Sequence, residues 1–116
     1  MKFIYYPPCS TCKKAKAFLD ENGISYEGRD IKLENPSYEE LKAWYEESGL
    51  PLKKFFNTSG LLYKSMELKE KLPNMTEEEQ LRLLSTDGML VKRPVLVSIK
   101  GIFVGFKPKE WEKVLE

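Results

Sequence analysis

Segments with the pattern of β-strands occur only near the two ends of this chain, and helical patterns fill the middle. At the N-terminal end, residues 2–6 are rich in β-branched and aromatic side chains and residues 24–31 alternate as a strand does. A helical pattern over 10–23, which Gly23 is expected to end, lies between them. At the C-terminal end, residues 93–99 and 102–106 also have strand patterns and are separated by a short turn. A sheet must therefore join strands from opposite ends of the chain.

The order of these segments predicts how the strands run. A β-α-β unit joins parallel strands through a right-handed crossover, whereas a short hairpin joins antiparallel ones. A last helical pattern over 107–116 follows the hairpin. The sequence thus predicts an α/β fold, in which a four-stranded mixed sheet (β-α-β and later β-β-α) is packed by helices.

Helix signals in the middle of the chain come without a strand among them. Asn35 or Ser37 can cap a helix that ends at Gly49. Further along, Thr76 followed by Glu79 is a capping-box signature that begins another helix. These patterns predict that a helical insertion separates the two strand-rich ends.

Length and charge limit the domain organisation and the kinds of partner. A chain of 116 residues fits one domain, which we expect to span 1–116 with its core in 1–34 and 90–116 and the helical insertion over roughly 35–89. A net charge of +1 gives no large field to attract nucleic acid or an anionic membrane. The N-terminus lacks the apolar segment of a secretory signal, and no apolar run has membrane-spanning length. We expect a cytoplasmic protein that binds neither nucleic acid directly nor a membrane.

The only two cysteines, Cys9 and Cys12, form a CxxC motif in a chain without histidine. Zinc requires four ligands, and neither a third cysteine nor a histidine is present to complete such a site, so we expect no metal. A disulfide across so short a loop removes little entropy from the unfolded chain and stabilises the fold little. The motif therefore favours redox chemistry over a structural role, with inert cysteines on a scaffold as the alternative.

The position of the motif suggests a role for each thiol. Cys9 lies between a strand and the first turn of a helix, for which Ser10 or Thr11 is the expected N-cap. Unpaired backbone N–H groups and the helix dipole favour a thiolate there, and Lys13 adds positive charge. We predict that Cys9 is the nucleophile and that Cys12, one helical turn on, resolves the species formed on it.

Arg93 and Pro94 open the third strand segment. A proline cannot donate to a strand ladder, so an edge position or a strand start is the simplest interpretation of Pro94. Composition alone favours a trans peptide here, since most X–Pro bonds in folded proteins are trans. If this segment lies beside the cysteines, Arg93 can lower the pKa of a thiol and bind an oxyanion with its planar fork.

Three segments in order, "PPCSTCKKA", "GLPLKKFFNTSG" and "KRPVLV" followed by "VGF", resemble the arsenate reductase/Spx family of thioredoxin-like proteins. The resemblance covers essentially the whole chain. It implies a thioredoxin- or glutaredoxin-like fold with a helical insertion. It also implies a cis peptide at Pro94, next to the active-site loop.

The resemblance to glutaredoxin-linked arsenate reductases implies that Cys9 attacks arsenate while Arg93 helps to hold the oxyanion. The chain departs from their pattern of arginines at Asn57 and Phe106, and Lys107 is the expected partial substitute. We expect a thiol oxidoreductase that acts on a small oxyanion or a disulfide, with Ser10, Thr11, Lys13 and Pro94 supporting the site. No bound cofactor is implied; glutathione, glutaredoxin or thioredoxin, the last two as protein partners, would restore the thiols.

The Spx branch supplies the alternative function. There the CxxC is a thiol/disulfide switch in a regulator that binds the C-terminal domain of the RNA polymerase α-subunit. Gly49 matches a glycine that this branch uses at its polymerase interface. On this interpretation the disulfide changes a binding surface instead of completing a turnover.

Overall fold

The two ends of the chain meet in one sheet. The computed structural model describes residues 1–116. Its strands are β1 (Lys2–Tyr5), β2 (Glu27–Asp30), β3 (Val95–Ser98) and β4 (Gly101–Val104), and their order across the sheet is β2-β1-β3-β4. β1 runs parallel to β2, whereas β3 is antiparallel to both β1 and β4. The predicted four-stranded mixed sheet of thioredoxin-like type is confirmed.

β2 is shorter than the predicted segment 24–31. The backbone N–H of Glu27 donates to the carbonyl of Met1 at 2.9 Å, so the ladder begins where β1 begins. Residues before Glu27 have no strand beside them and serve as the connection from the preceding helix. The length of β2 is set by its partner β1. The sequence pattern within residues 24–31 does not show where that partner begins.

The first helix, α1 (Ser10–Glu21), begins at Ser10, so both predicted caps lie inside the helix. Its N-cap is Cys9 itself and not Ser10 or Thr11, because the backbone N–H of Lys13 donates to the Cys9 carbonyl at 3.0 Å. At the other end, Gly23 adopts a left-handed φ of 66° and stops the helix, as predicted.

The predicted helical middle is present and contains no strand of the sheet. The helix α2 (Tyr38–Ser48) is capped by Ser37 in a capping box with Glu40, so the alternative cap Asn35 is wrong. A 3-10 turn over Leu52–Phe55 follows, and then α3 (Leu61–Ser65) and α4 (Leu68–Lys71), which continues as a 3-10 turn. The predicted Thr76–Glu79 capping box begins α5 (Glu77–Leu84), and α6 (Pro108–Trp111) follows the hairpin.

Two apolar clusters cover the two faces of the sheet. The insertion core joins the middle helices to the sheet and includes Leu41, Trp44, Phe55 and Ile102. The tryptophan core lies on the other face and consists of Phe3, Ala15, Leu19, Leu96, Phe103 and Trp111. The fully buried Trp111 indole N–H donates to the Gly105 carbonyl at 3.1 Å, which fixes α6 against the end of β4.

An ion pair ties the insertion to the sheet. Arg29 on β2 donates to both carboxylate oxygens of Glu40 on α2, at 2.7 and 2.9 Å. The two side chains are 19% and 29% exposed, so water screens the pair only in part. Hydrogen bonding by Arg29 outweighs partial burial and lowers the pKa of Glu40 to about 2.

Removing the Glu40 charge is expected to destabilise the fold in a pH-dependent way. Because the pKa of Glu40 is lower in the folded chain, the pair contributes fully above the unfolded value and is lost as pH falls towards about 2. Glu40→Gln should lower the free energy of unfolding at pH 7 by about 2 kcal/mol in urea unfolding, and by much less near pH 2.

Glu78→Gln is the matched control, because Glu78 pairs with Arg82 on an open helix surface and should matter little. An equal loss of stability in Glu40→Gln at both pH values would contradict the electrostatic explanation.

Candidate active site

A tight turn after β1 places the cysteines. The backbone N–H of Cys9 donates to the Tyr6 carbonyl at 2.9 Å, so the chain reverses through Pro7 and Pro8 and enters α1 directly. Cys9 is half-buried at the N-cap, while Cys12 lies on the buried face of α1; both are free thiols. The Cys9 thiol is therefore partly accessible to a substrate, whereas the Cys12 thiol is buried.

The surroundings of Cys9 favour its thiolate. Partial burial alone would raise the pKa of Cys9, but the nearby backbone N–H of Cys12, the Cys12 thiol, the Arg93 guanidinium and the Thr11 backbone N–H outweigh it and lower the pKa. The backbone N–H groups of Thr11 and Cys12 are first-turn donors of the kind that a helix N-terminus provides. Cys9 is thus ionised at a lower pH than an ordinary cysteine.

The opposite holds for Cys12. Burial, reinforced by the neighbouring Cys9 thiolate, raises the pKa of Cys12 to about 12, although its Sγ accepts a hydrogen bond from the Tyr6 backbone N–H at 3.4 Å. Cys12 therefore holds its proton while Cys9 is ionised. This difference is what a nucleophile and a resolving thiol need.

The cis peptide expected from the family resemblance is present at Arg93–Pro94, and Pro94 is buried. The Arg93 guanidinium lies over the Tyr6 ring, 5.1 Å from its centroid. Its Nε and Nη1 are buried and have no hydrogen-bond partner. Arg93 therefore brings positive charge and two unused donors to the cysteine turn.

The remaining predicted site residues fall into two groups. Ser10, Thr11 and Lys13 are exposed on the first turn of α1, next to Cys9. Lys107 is exposed at the start of α6 and lines a groove whose walls include neither Cys9 nor Arg93. The supporting roles assigned to these four side chains stay predictions.

Gly49, the residue of the alternative function, ends α2 with a left-handed φ of 68°. It is exposed, and a Cβ placed on it would meet nothing within 4 Å. The position is therefore an open surface point at the end of a rigid helix.

Tyr6 is a site residue that the sequence analysis did not identify. Its backbone N–H donates to Cys12, its carbonyl accepts from Cys9, and its ring lies beneath Arg93. The available signal was its place directly before the two prolines that lead into the CxxC. A strand pattern alone assigned it to the sheet, whereas β1 ends at Tyr5.

The structure contains neither a cluster of metal-binding side chains nor a helix that could span a membrane. No three cysteine, aspartate or glutamate side chains come together in a group that could hold a metal ion. None of the helices combines the length and the apolar character that crossing a membrane requires.

The sheet order, the cis-proline before β3 and the cysteine turn at the start of α1 define a thioredoxin-like protein. The chain belongs to the ArsC family, whose model matches residues 4–114.

Three relatives show the range of this family. An ArsC family related protein from Bacteroides fragilis is 60% identical, with 97% of this chain and 95% of that chain covered and a TM-score of 0.95. A possible arsenate reductase from Streptococcus mutans UA159 is 44% identical, with 96% of each chain covered and a TM-score of 0.87. Regulatory protein MgsR of Bacillus subtilis is 31% identical over 98% of this chain and 89% of its own length. The relatives thus include one described as a possible enzyme and one described as a regulator.

The two thiols are expected to ionise at very different pH values. In Cys12→Ser, which keeps a hydroxyl donor beside Cys9, thiolate absorbance and alkylation rate should both show a pKa for Cys9 below that of an ordinary cysteine. In Cys9→Ser, the Cys12 thiol should stay protonated and resist alkylation well above its ordinary pKa. Equal pKa values in the two variants would contradict the assignment of nucleophile and resolving thiol.

Proposed function

We propose that this chain is a thiol oxidoreductase of the arsenate reductase type, working in the cytoplasm through the Cys9–Cys12 pair. The observation that supports this most directly is the opposite pKa shifts of the two thiols, together with Arg93, which lowers the pKa of Cys9 and has two donors without a hydrogen-bond partner. A thiolate attacks an electron-poor centre, and a planar guanidinium suits the oxygens of an oxyanion. The similarity to a possible arsenate reductase makes arsenate the first substrate to test.

The proposed reaction with arsenate has two steps. The Cys9 thiolate forms an S–As bond while one arsenate oxygen leaves as water after protonation. Cys12, losing its proton, then attacks the Cys9 sulfur; the S–As bond breaks, its electron pair stays on arsenic, and As(V) leaves as As(III). The pair is now a disulfide, and two electrons from glutathione, glutaredoxin or thioredoxin restore it.

A disulfide substrate follows the same sequence. Cys9 attacks one sulfur and releases the first thiol, and Cys12 then displaces the second by closing the intramolecular disulfide. Arg93 would stabilise the thiolate but would have no oxyanion to hold. The effect of substituting Arg93 therefore distinguishes an oxyanion substrate from a disulfide substrate.

Turnover of arsenate by this chain with glutathione and glutaredoxin, or with thioredoxin, is the test. Cys9→Ser should abolish turnover, whereas Cys12→Ser should keep a single round of attack and lose the intramolecular disulfide. Arg93→Lys keeps the charge but loses the planar fork, so we expect kcat/KM for arsenate to fall by about tenfold to a hundredfold, mainly through KM. Lys42→Ala, on the exposed face of α2, is the control.

Arsenate turnover that survives in Cys9→Ser would overturn the proposal. Turnover of a disulfide without arsenate turnover would retain the thiol chemistry and exclude the oxyanion as substrate. In that case Arg93→Lys should alter the pKa of Cys9 without a selective effect on substrate binding.

A regulatory role is the second candidate, favoured by the similarity to Regulatory protein MgsR and by the open position of Gly49. In this role the chain binds the C-terminal domain of the RNA polymerase α-subunit, and oxidation of the pair changes that binding. Both functions use the same two thiols. They differ in whether Gly49 matters.

Co-purification with the α-subunit domain tests the regulatory role. Gly49→Arg should abolish binding, whereas Gly49→Asn should keep it, because asparagine tolerates the left-handed conformation and is smaller. Circular dichroism must show both variants folded. No binding by the unaltered chain in either redox state, or equal binding by both variants, would exclude this interface.

A further inference from the structure

The outer edge of β4 has unpaired backbone groups. β4 is the last strand of the sheet and pairs only with β3. The Gly105 N–H donates to the Pro94 carbonyl at 2.8 Å, so Val104 and its partner Val95 form a non-hydrogen-bonded pair. Because antiparallel pairs alternate, the N–H and C=O groups of Ile102 and Val104 point away from β3. They have no partner within the chain.

A groove of about 770 Å³ runs along this edge. Its floor is the chain from Ile102 to Lys107, and its walls come from both faces of the sheet. On one side lie the end of α2 and the following 3-10 turn, which pack with the insertion core. On the other side lie Glu110 and Lys113, next to Trp111 of the tryptophan core. The groove therefore has the direction and floor that an additional strand requires.

Positive charge is concentrated around the groove. The lining contains one acidic residue, Glu110, and five lysines, none of which forms an ion pair: Lys53, Lys54, Lys92, Lys107 and Lys113. The whole chain has a net charge of only +1, so the remaining surface is net acidic. All five lysines are exposed, with members on both walls. A ligand lying along β4 would meet cations on both sides.

We propose that the β4 edge binds an extended acidic peptide segment of a protein partner by strand addition. The segment's backbone pairs with Ile102 and Val104, while its carboxylates face the lysines of the two walls. A second copy of this chain is a poor occupant, because β4 has no acidic residue and pairing two edges would bring both lysine sets together. Cys9, Cys12 and Arg93 all lie outside the groove lining, so binding here does not use the two thiols.

The test uses a fluorescein-labelled octapeptide of alternating glutamate and valine. Binding is followed by fluorescence anisotropy, and the same peptide with every amide nitrogen methylated serves as a probe of equal charge that cannot donate to a ladder. Strand addition predicts that methylation abolishes binding. In hydrogen exchange measured by NMR, the amides of Ile102 and Val104 should become protected when the unmethylated peptide binds. The amide of Phe103 already faces β3 and should change little.

Charge reversal on opposite walls tests the role of the lysines. Lys53→Glu combined with Lys113→Glu should weaken peptide binding by at least about tenfold. Lys42→Glu combined with Lys71→Glu makes the same change of charge at exposed lysines outside the groove and should weaken it less than about twofold. Cys9→Ser should bind the peptide normally, so failure of this proposal and failure of the thiol mechanism are distinguishable.

Five outcomes would overturn the proposal. Equal binding of the methylated peptide, or an equal loss in both lysine variants, would show unspecific charge attraction. Unchanged exchange at Ile102 and Val104 would place the peptide elsewhere. Displacement of the peptide by a DNA oligonucleotide of equal charge would identify a general polyanion surface. A dimer in sedimentation that the Lys53/Lys113 variant abolishes would identify a second copy as the occupant.

Discussion

The antiparallel pairing of β1 with β3 is the interaction on which the rest of the structure depends. It places Ile4 opposite Val95, so the chain leaves β1 at the same end of the sheet where it enters β3. The cysteine turn follows the end of β1, and Arg93 with the cis-proline precedes the start of β3. Residues separated by most of the sequence thus meet without any long loop reaching between them. Substitutions that weaken this strand pair should therefore disturb the thiol site even when they lie several residues from it.

Much of the fold could be predicted from the sequence because its signals are local. Strand-type segments at the two ends, the Thr76–Glu79 capping box and the stop at Gly23 each depend on residues within one turn or strand. The boundaries were predicted less well, because they depend on partners: β2 begins where Met1 gives it a neighbour. The cis peptide at Pro94 could be expected only from the family resemblance, since nothing in the local pattern separates it from a trans bond.

The residues of the candidate site could be proposed from the sequence, but their arrangement could not. The CxxC spacing and the strand-to-helix position were sufficient to single out Cys9 and Cys12. Position alone did not show that Cys9 is the N-cap, nor that Tyr6 supports both the buried thiol and the arginine. The groove along β4 could not be predicted from the sequence for a different reason. Its lysines come from separate segments, and their charge is cancelled in the composition by acidic residues elsewhere.

The two candidate functions make different demands on the same chemistry. Closing the disulfide removes the Cys9 thiolate, whose charge faces Arg93, and it engages the Cys12 sulfur, which accepts from the Tyr6 backbone N–H in the reduced chain. An enzyme needs these losses to be small, so that a reductant can reverse them in each cycle. A switch needs the loss of these interactions to change the structure at a distance from the cysteines. Tyr6 and Arg93 are the residues that could transmit this change, since both contact the cysteine turn and each other. The stability difference between the reduced and oxidised chain is therefore the quantity that separates a turnover site from a sensor.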